Sequence, residues 1–214
     1  MRFVLSGFVV LSLSTAAAAA PVFTDSFESP VISTAYQTFA AGSMVGDWSV
    51  GALSVDLVRS PLFTIPAADG NQYVDLVGSG PGAISRSLTT LVPNQEYQLT
   101  FQYRGNFLDP NPAFGQYLGL AVAGAGLPTT IGITFADAQQ GWKSATLNFS
   151  ATSPSTLLSF SALTSGTSFS GGLLIDDISV AAVPEVHEWA MMLAGLGLVG
   201  WAARRRQQPS ATPA

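Results

Sequence analysis

The 214-residue chain has no cysteine and one histidine, His187. The first absence removes disulfide frameworks, cysteine nucleophiles and thiolate zinc sites, and the second leaves the body of the chain without a Ser-His-Asp triad. Charge is scarce as well, at 10% of residues, where an average soluble domain has roughly 25%. Lysine occurs once, as Lys143. Catalysis near neutral pH would fall to carboxylates, tyrosine or that lysine. Also missing between residues 21 and 182 is any sustained 3.6-residue apolar rhythm of the kind a helix needs. Glycine and proline, 21 and 13 residues, stand in its place and point to turn-rich β structure.

Apolar runs concentrate at the two ends. Residues 1–20 have the layout of a secretory signal peptide: Arg2, an apolar stretch from Phe3 to Leu13, then small residues from Ala16 to Ala20. Signal peptidase would cut after Ala19 in preference to Ala20, which Pro21 follows. The second run, Trp189 to Ala203, is 15 residues long. As a helix it would reach about 22 Å, short of a hydrocarbon core of about 30 Å. Trp189 and Trp201 sit near its ends as interfacial rings do, and Arg204, Arg205 and Arg206 would stay cytoplasmic. Gly195, Gly197 and Gly200 favour close packing in lipid over stability in water. An exported domain with a marginal C-terminal transmembrane helix over 189–203 is the expectation.

Val183-Pro184-Glu185, the short Gly/Ala/Leu-rich helix and the three arginines together resemble the PEP-CTERM sorting signal of Gram-negative bacteria. The resemblance implies processing by exosortase, a membrane-embedded transpeptidase-like enzyme, and a destination at the cell surface or in the extracellular matrix. Val186 stands where the second proline of that motif is usual, and a tail, residues 207–214, follows the arginines.

Between the ends, residues 21–182 carry 4 basic and 11 acidic side chains, a net charge of −7. No basic stripe exists, so nucleic acid is excluded as a natural partner. A stretch of this length buries a full core without disulfides. Alternating apolar and polar residues predict strands over 48–58, 72–77, 83–89, 97–103, 117–122, 144–149, 156–163 and 173–180. Asp69-Gly70-Asn71, Gly80-Pro81-Gly82 and Gly171-Gly172 supply turns between them. Non-repeating short strands in one exported domain predict an all-β jelly-roll sandwich.

Landmarks along this region are similar, in order and spacing, to the choice-of-anchor C family, which is related to a domain of plant cell-wall proteins. They run from Ser26-Phe27-Glu28 through Trp48-Ser49-Val50, Ser54-Val55-Asp56-Leu57-Val58, Ala68-Asp69-Gly70 and Tyr73-Val74-Asp75-Leu76. Gly82-Ala83-Ile84-Ser85-Arg86, Gly141-Trp142 and Leu174-Ile175-Asp176-Asp177-Ile178-Ser179-Val180 complete the series. The resemblance implies a galactose-binding-like fold of the kind found in carbohydrate-binding modules.

Such jelly rolls often share a structural calcium ion between their terminal strands, and Glu28, Asp69 and Asp176 offer hard oxygen ligands for it. Strict alternation puts Asp176 on one face with Leu174, Ile178 and Val180, where a carboxylate demands a partner. Calcium is one solution, and backbone N–H groups or an arginine such as Arg86 are the other. For a sugar, the stretch after the 97–103 strand gathers Asn106, Phe107, Asp109, Phe114 and Tyr117, aromatics beside amide and carboxylate groups. The same stretch also reads as a flap packed over the sandwich edge. Trp48 and Trp142 read as core residues before platforms. No spacing selects a catalytic pair of carboxylates. The expectation is a non-enzymatic binder of extracellular polysaccharide, with a ligand-free structural surface protein as the alternative.

Overall fold

The computed structural model describes residues 19–62, 64–106, 116–122, 127–133, 141–164, 172–184 and 186–206. Most of the candidate signal peptide and the tail 207–214 lie outside these residues. Within them the chain folds as two antiparallel sheets and one C-terminal helix. The larger sheet holds β1 (Pro21–Asp25), β2 (Tyr36–Ala40), β5 (Ser54–Arg59), β6 (Gln72–Asp75), β8 (Glu96–Gly105), β11 (Lys143–Ser150) and β13 (Leu173–Ala182). Its order is β11-β8-β13-β6-β5-β2, with β1 added beside β13. The smaller sheet holds β3 (Met44–Val45), β4 (Trp48–Ala52), β7 (Gly82–Leu88), β9 (Gln116–Val122), β10 (Leu127–Ile133) and β12 (Thr156–Thr164), in the order β10-β9-β12-β7-β4-β3. The expected all-β sandwich is what forms.

Inward residues of both sheets fill the space between them, as alternation requires. Trp48, Phe27, Phe101 and Phe160 are almost fully buried at its centre. Ring centroids lie 5.8 Å apart for Trp48 and Phe27, 5.9 Å for Trp48 and Phe160, and 5.1 Å for Phe101 and Phe160. Trp48 is thus the core residue its position implied, and truncating such a side chain costs about 3–5 kcal/mol. Its indole Nε1–H needs a partner in that setting. It donates to Asp25 Oδ2 at 2.9 Å, and Arg86 donates to the same oxygen at 2.9 Å. Arg86 also reaches Asp47 at 2.8 Å and stacks over Phe23 at 4.7 Å. One carboxylate therefore fastens β1 to both β4 and β7 of the opposite sheet.

Two expectations need correction. The strand expected over 48–58 is two strands in different sheets, because Ala52 adopts φ 58° and turns the chain between β4 and β5. Gly51 stands one residue before that corner, still paired within β4, and Ala52 itself makes the turn. Second, strict alternation fails in β13. The register to β8 shifts between Asp176 and Ser179, and Asp177 has φ 47°. This bulge sends Ile178 and Val180 into the main core, whereas Leu174 joins a second cluster with Val58, Ile65 and Tyr73 on the outer face of the larger sheet. Asp176 follows Leu174 outward, beneath the 60–69 connection. Trp142 belongs to the same outer cluster and donates its Nε1–H to the Pro66 carbonyl at 2.8 Å.

The C-terminal helix α1 (Val186–Arg206) forms where an apolar helix was expected. It corrects the transmembrane reading of 189–203, since no helix among the described residues is long and apolar enough to cross a membrane. Leu193, Leu196, Leu198, Val199 and Trp201 are all exposed, and Arg205 lies over the Trp201 ring at 4.3 Å.

Candidate functional site

Glu28, Asp69 and Asp176 come from three distant stretches of sequence and meet at one turn, Ala68 to Gln72. Asp176 Oδ2 accepts from the N–H groups of Ala68 and Asp69 at 2.8 and 3.0 Å, and its Oδ1 accepts from Asp177 N–H at 2.8 Å. Glu28 Oε1 accepts from Asn71 and Gln72 N–H, both at 2.7 Å. Two carboxylates thus hold the turn from opposite sides. Gly70 at its tip has φ 64°, and a Cβ there would stand 2.5 Å from Glu28 Oε1, so glycine is required twice over. Burial pushes the Asp176 carboxyl up to about 7, against the pull of its N–H donors and with the Asp177 charge adding to the rise.

This pairing is the backbone solution to the buried Asp176. Arg86 is engaged elsewhere, with Asp25 and Asp47. Glu28 and Asp176 point their bonded oxygens at amides, and among the described residues no three acidic side chains are grouped to hold a metal ion.

Two open clefts flank Glu28. One, of about 570 Å³, is lined by Asp25, Glu28, Asp69 and Asp177. The other, of about 470 Å³, lies between the 28–35 and 59–72 segments and mixes polar groups of Glu28, Arg59, Ser60 and Asn71 with aliphatic Val31, Ile32 and Pro61. Its floor is fixed by Gln72, whose buried amide oxygen accepts from Ile32 N–H at 2.9 Å. The amide nitrogen donates to the Phe27 and Pro30 carbonyls at 2.7 and 3.0 Å. Every polar atom of that amide is thereby committed to shaping the wall.

The sugar candidates divide. Asn106 closes β8's far end, donating its Nδ2–H to Asp75 Oδ2 at 2.9 Å and its backbone N–H to the Gly172 carbonyl at 3.2 Å. Phe107, Asp109 and Phe114 lie outside the described residues, and of Tyr117 only its place in β9, opposite Leu163, is described. Glu185 likewise lies outside, whereas Val183 N–H donates to the Glu96 carbonyl at 2.8 Å, ending the sandwich one residue before Pro184.

Three functional groups had no signal in the sequence. Asp56 and Asp75 are direct cross-strand partners on β5 and β6, which brings their Cβ atoms to about 4.5–5.5 Å. Asp75 is buried, its Oδ1 accepting from Val77 N–H at 2.9 Å. Burial pushes its carboxyl up to about 7, opposed by those hydrogen bonds and reinforced by the Asp56 charge. Asp56 is raised by desolvation too, against a bond from Thr38, and its Oδ1 has no hydrogen-bond partner among the described residues. Tyr73 beside them is raised by burial and by Asp75, with Arg104 opposing. Arg59, the third group, is identifiable only from what the other basic residues touch.

A family model described as "Protein of unknown function (DUF642)" matches residues 23–181, and the chain belongs to that family. Halomucin of Haloquadratum walsbyi is 32% identical over 147 residues, 68% of this chain, and the chain spans 2% of halomucin's length. Among solved structures, the CBM22-1 xylan-binding domain of Xyn10C from Paenibacillus barcinonensis is 17% identical, covering 80% of this chain and 100% of that one at a TM-score of 0.49. A family 35 carbohydrate binding module from Clostridium thermocellum is 18% identical, covering 69% and 98% at a TM-score of 0.42. Both scores are too low for either protein's binding site to be placed on this chain.

Proposed function

With membership of that family as the premise, we propose that the sandwich is an exported, non-catalytic carbohydrate-binding domain acting at the cell surface or in extracellular polysaccharide. The observation that supports it is the mixed cleft beside Glu28. A sugar presents hydroxyl rims and C–H faces, and needs convergent polar groups set among aliphatic walls. The cleft offers Arg59 and Asn71 with Val31, Ile32 and Pro61, and Tyr36, 53% exposed, adjoins it after Ala35. Asn106, Phe107, Asp109, Phe114 and Tyr117 form the second candidate contact. Titration of the purified chain with soluble glycans tests the reading. Binding lost in Asn71→Ala places the sugar at the cleft, binding lost in Phe114→Ala places it on the other loop, and no binding to any glycan rejects the proposal.

A structural surface protein without ligand is the second reading. The outer face of the smaller sheet favours it: Ser49, Ser85, Ser159 and Ala121 lie in one cross-strand row, and Gly51, Ala83, Ser161 and Gly119 in the next. Two adjacent rows with side chains this small make a flat strip across the sheet.

Export belongs to the proposal through residues 1–20, removed by signal peptidase, and through the segment 183–206 as an exosortase substrate. The exposed apolar side chains of α1 lie outside the sandwich core, as a removable segment requires. Mass spectrometry of the protein recovered from its host checks both ends. A calcium ion at Glu28, Asp69 and Asp176 would need the Glu28 and Asp176 side chains to turn from their N–H donors toward the acidic cleft that Asp69 lines. Thermal unfolding with calcium against chelator shows whether they do.

A further inference from the structure

Resting on the carbohydrate reading, we infer that the mixed cleft takes a carboxylated sugar, a uronate residue of an acidic polysaccharide, with Arg59 as the contact to its carboxylate. The sandwich has four basic residues, Arg59, Arg86, Arg104 and Lys143, among eleven acidic ones. Three of the four are engaged: Arg86 with Asp25 and Asp47, and Arg104 and Lys143 with partners of their own. Arg59 is the exception. Its backbone N–H donates to the Ala35 carbonyl at 2.9 Å, and its guanidinium has no hydrogen bond or ion pair among the described residues.

In a domain of this charge, a guanidinium left unpaired is a notable exception. Glu28 lines the same cleft, yet its Oε1 is bound to the Asn71 and Gln72 amides and no ion pair joins it to Arg59. The planar fork of an arginine matches a carboxylate with two parallel hydrogen bonds, a geometry lysine lacks. The Asn71 side-chain amide is also without a hydrogen bond among the described residues, and it offers both donor and acceptor to a hydroxyl. Val31, 85% exposed, presents an aliphatic surface to a ring's C–H face. Because Gln72 has already fixed the 27–32 wall, little ordering remains to be done when the sugar arrives.

Isothermal titration of the full chain with galacturonate and glucuronate trisaccharides, their methyl esters and a neutral galactose trisaccharide tests the inference. At least one uronate trimer should bind, and methyl esterification or Arg59→Gln should weaken it about tenfold or more. Arg59→Lys should recover only part of the loss, and both variants should keep the parent melting temperature because Arg59 is exposed and holds nothing in the fold. Equal affinity for acid and ester, or for the neutral trisaccharide, overturns the carboxylate assignment and leaves the carbohydrate reading standing. Uronate binding that ignores Arg59→Gln places the acid elsewhere and overturns the assignment of the cleft. Silence toward every trisaccharide overturns this inference and leaves the carbohydrate reading to the wider glycan titration.

Discussion

The larger sheet buries carboxylates in two places, and they are opposite solutions to one problem. At the Asp69 turn, Asp176 gives both oxygens to three backbone N–H groups. On β5 and β6, Asp75 faces another acid, Asp56, one of whose oxygens is buried without a partner among the described residues. Burial raises both Asp176 and Asp75 to about 7. Equal elevation conceals unequal work. Asp176 positions a turn that borders the acidic cleft, whereas Asp75 ties Val77, Asn106 and Gly172 together with a second acid opposite it. A raised carboxyl is therefore a poor guide to role until the groups around it are named.

Substitutions break or sharpen that contrast. The largest effect is expected for Asp176→Ala, which strands three half-buried N–H groups and should lower unfolding free energy by roughly 3 kcal/mol, read from the urea midpoint. Gly172→Ala probes the other region. A Cβ there would stand 2.5 Å from Asp75 Oδ1 and 2.6 Å from Val77 Cγ2, and overpacking of that kind should cost about 2 kcal/mol in the same measurement.

Asp75→Asn should act in the reverse direction. The fold holds Asp75's carboxyl at about 7 where the ordinary value is 3.8, so the protonated form is the one it favours. The associated stability is complete below about pH 4 and is lost as pH rises through about 7. Denaturation between pH 4 and pH 8 should show the parent weakening with pH. Asp75→Asn should flatten that slope and gain roughly 1–2 kcal/mol at pH 8. A variant as pH-sensitive as the parent would show that the two acids do not share the strain. The smallest effect belongs to Glu28→Gln, which keeps an acceptor for Asn71 and Gln72 and should cost about 1 kcal/mol in thermal unfolding.

Much of this architecture was legible in advance because alternation survives wherever a strand has one wet face. β7, β8, β11 and β12 fall within one residue or two of their expected limits. β2 and β3 escaped because they are mostly exposed edge strands with little apolar rhythm, and the corner at Ala52 escaped because a lone Gly51 inside an alternating run is a weak turn signal. At the site, Glu28, Asp69 and Asp176 could be grouped from chemistry alone, and they do converge. Their partners could not be read, since amides carry no residue-specific signal and the bulge at Asp177 redirects the strand by one position. Asp56 and Asp75 sit in identical Val-Asp-Leu-Val runs. Only the register between β5 and β6 makes them neighbours.

The final strand of the sandwich is also its most connected. β13 pairs with β8 along one edge, and along the other with β6 through Leu174 and Ile175 and then with β1 from Ile178 to Ala181. A chain emerging amino end first therefore has every other strand of the larger sheet available before the one that joins three of them. Until those last ten residues arrive, β1 has no edge to pair with and the sheet lies in separate pieces. Closure of this domain waits on its last-made segment, so completion is governed by contacts of the greatest sequence separation, the slow class in folding.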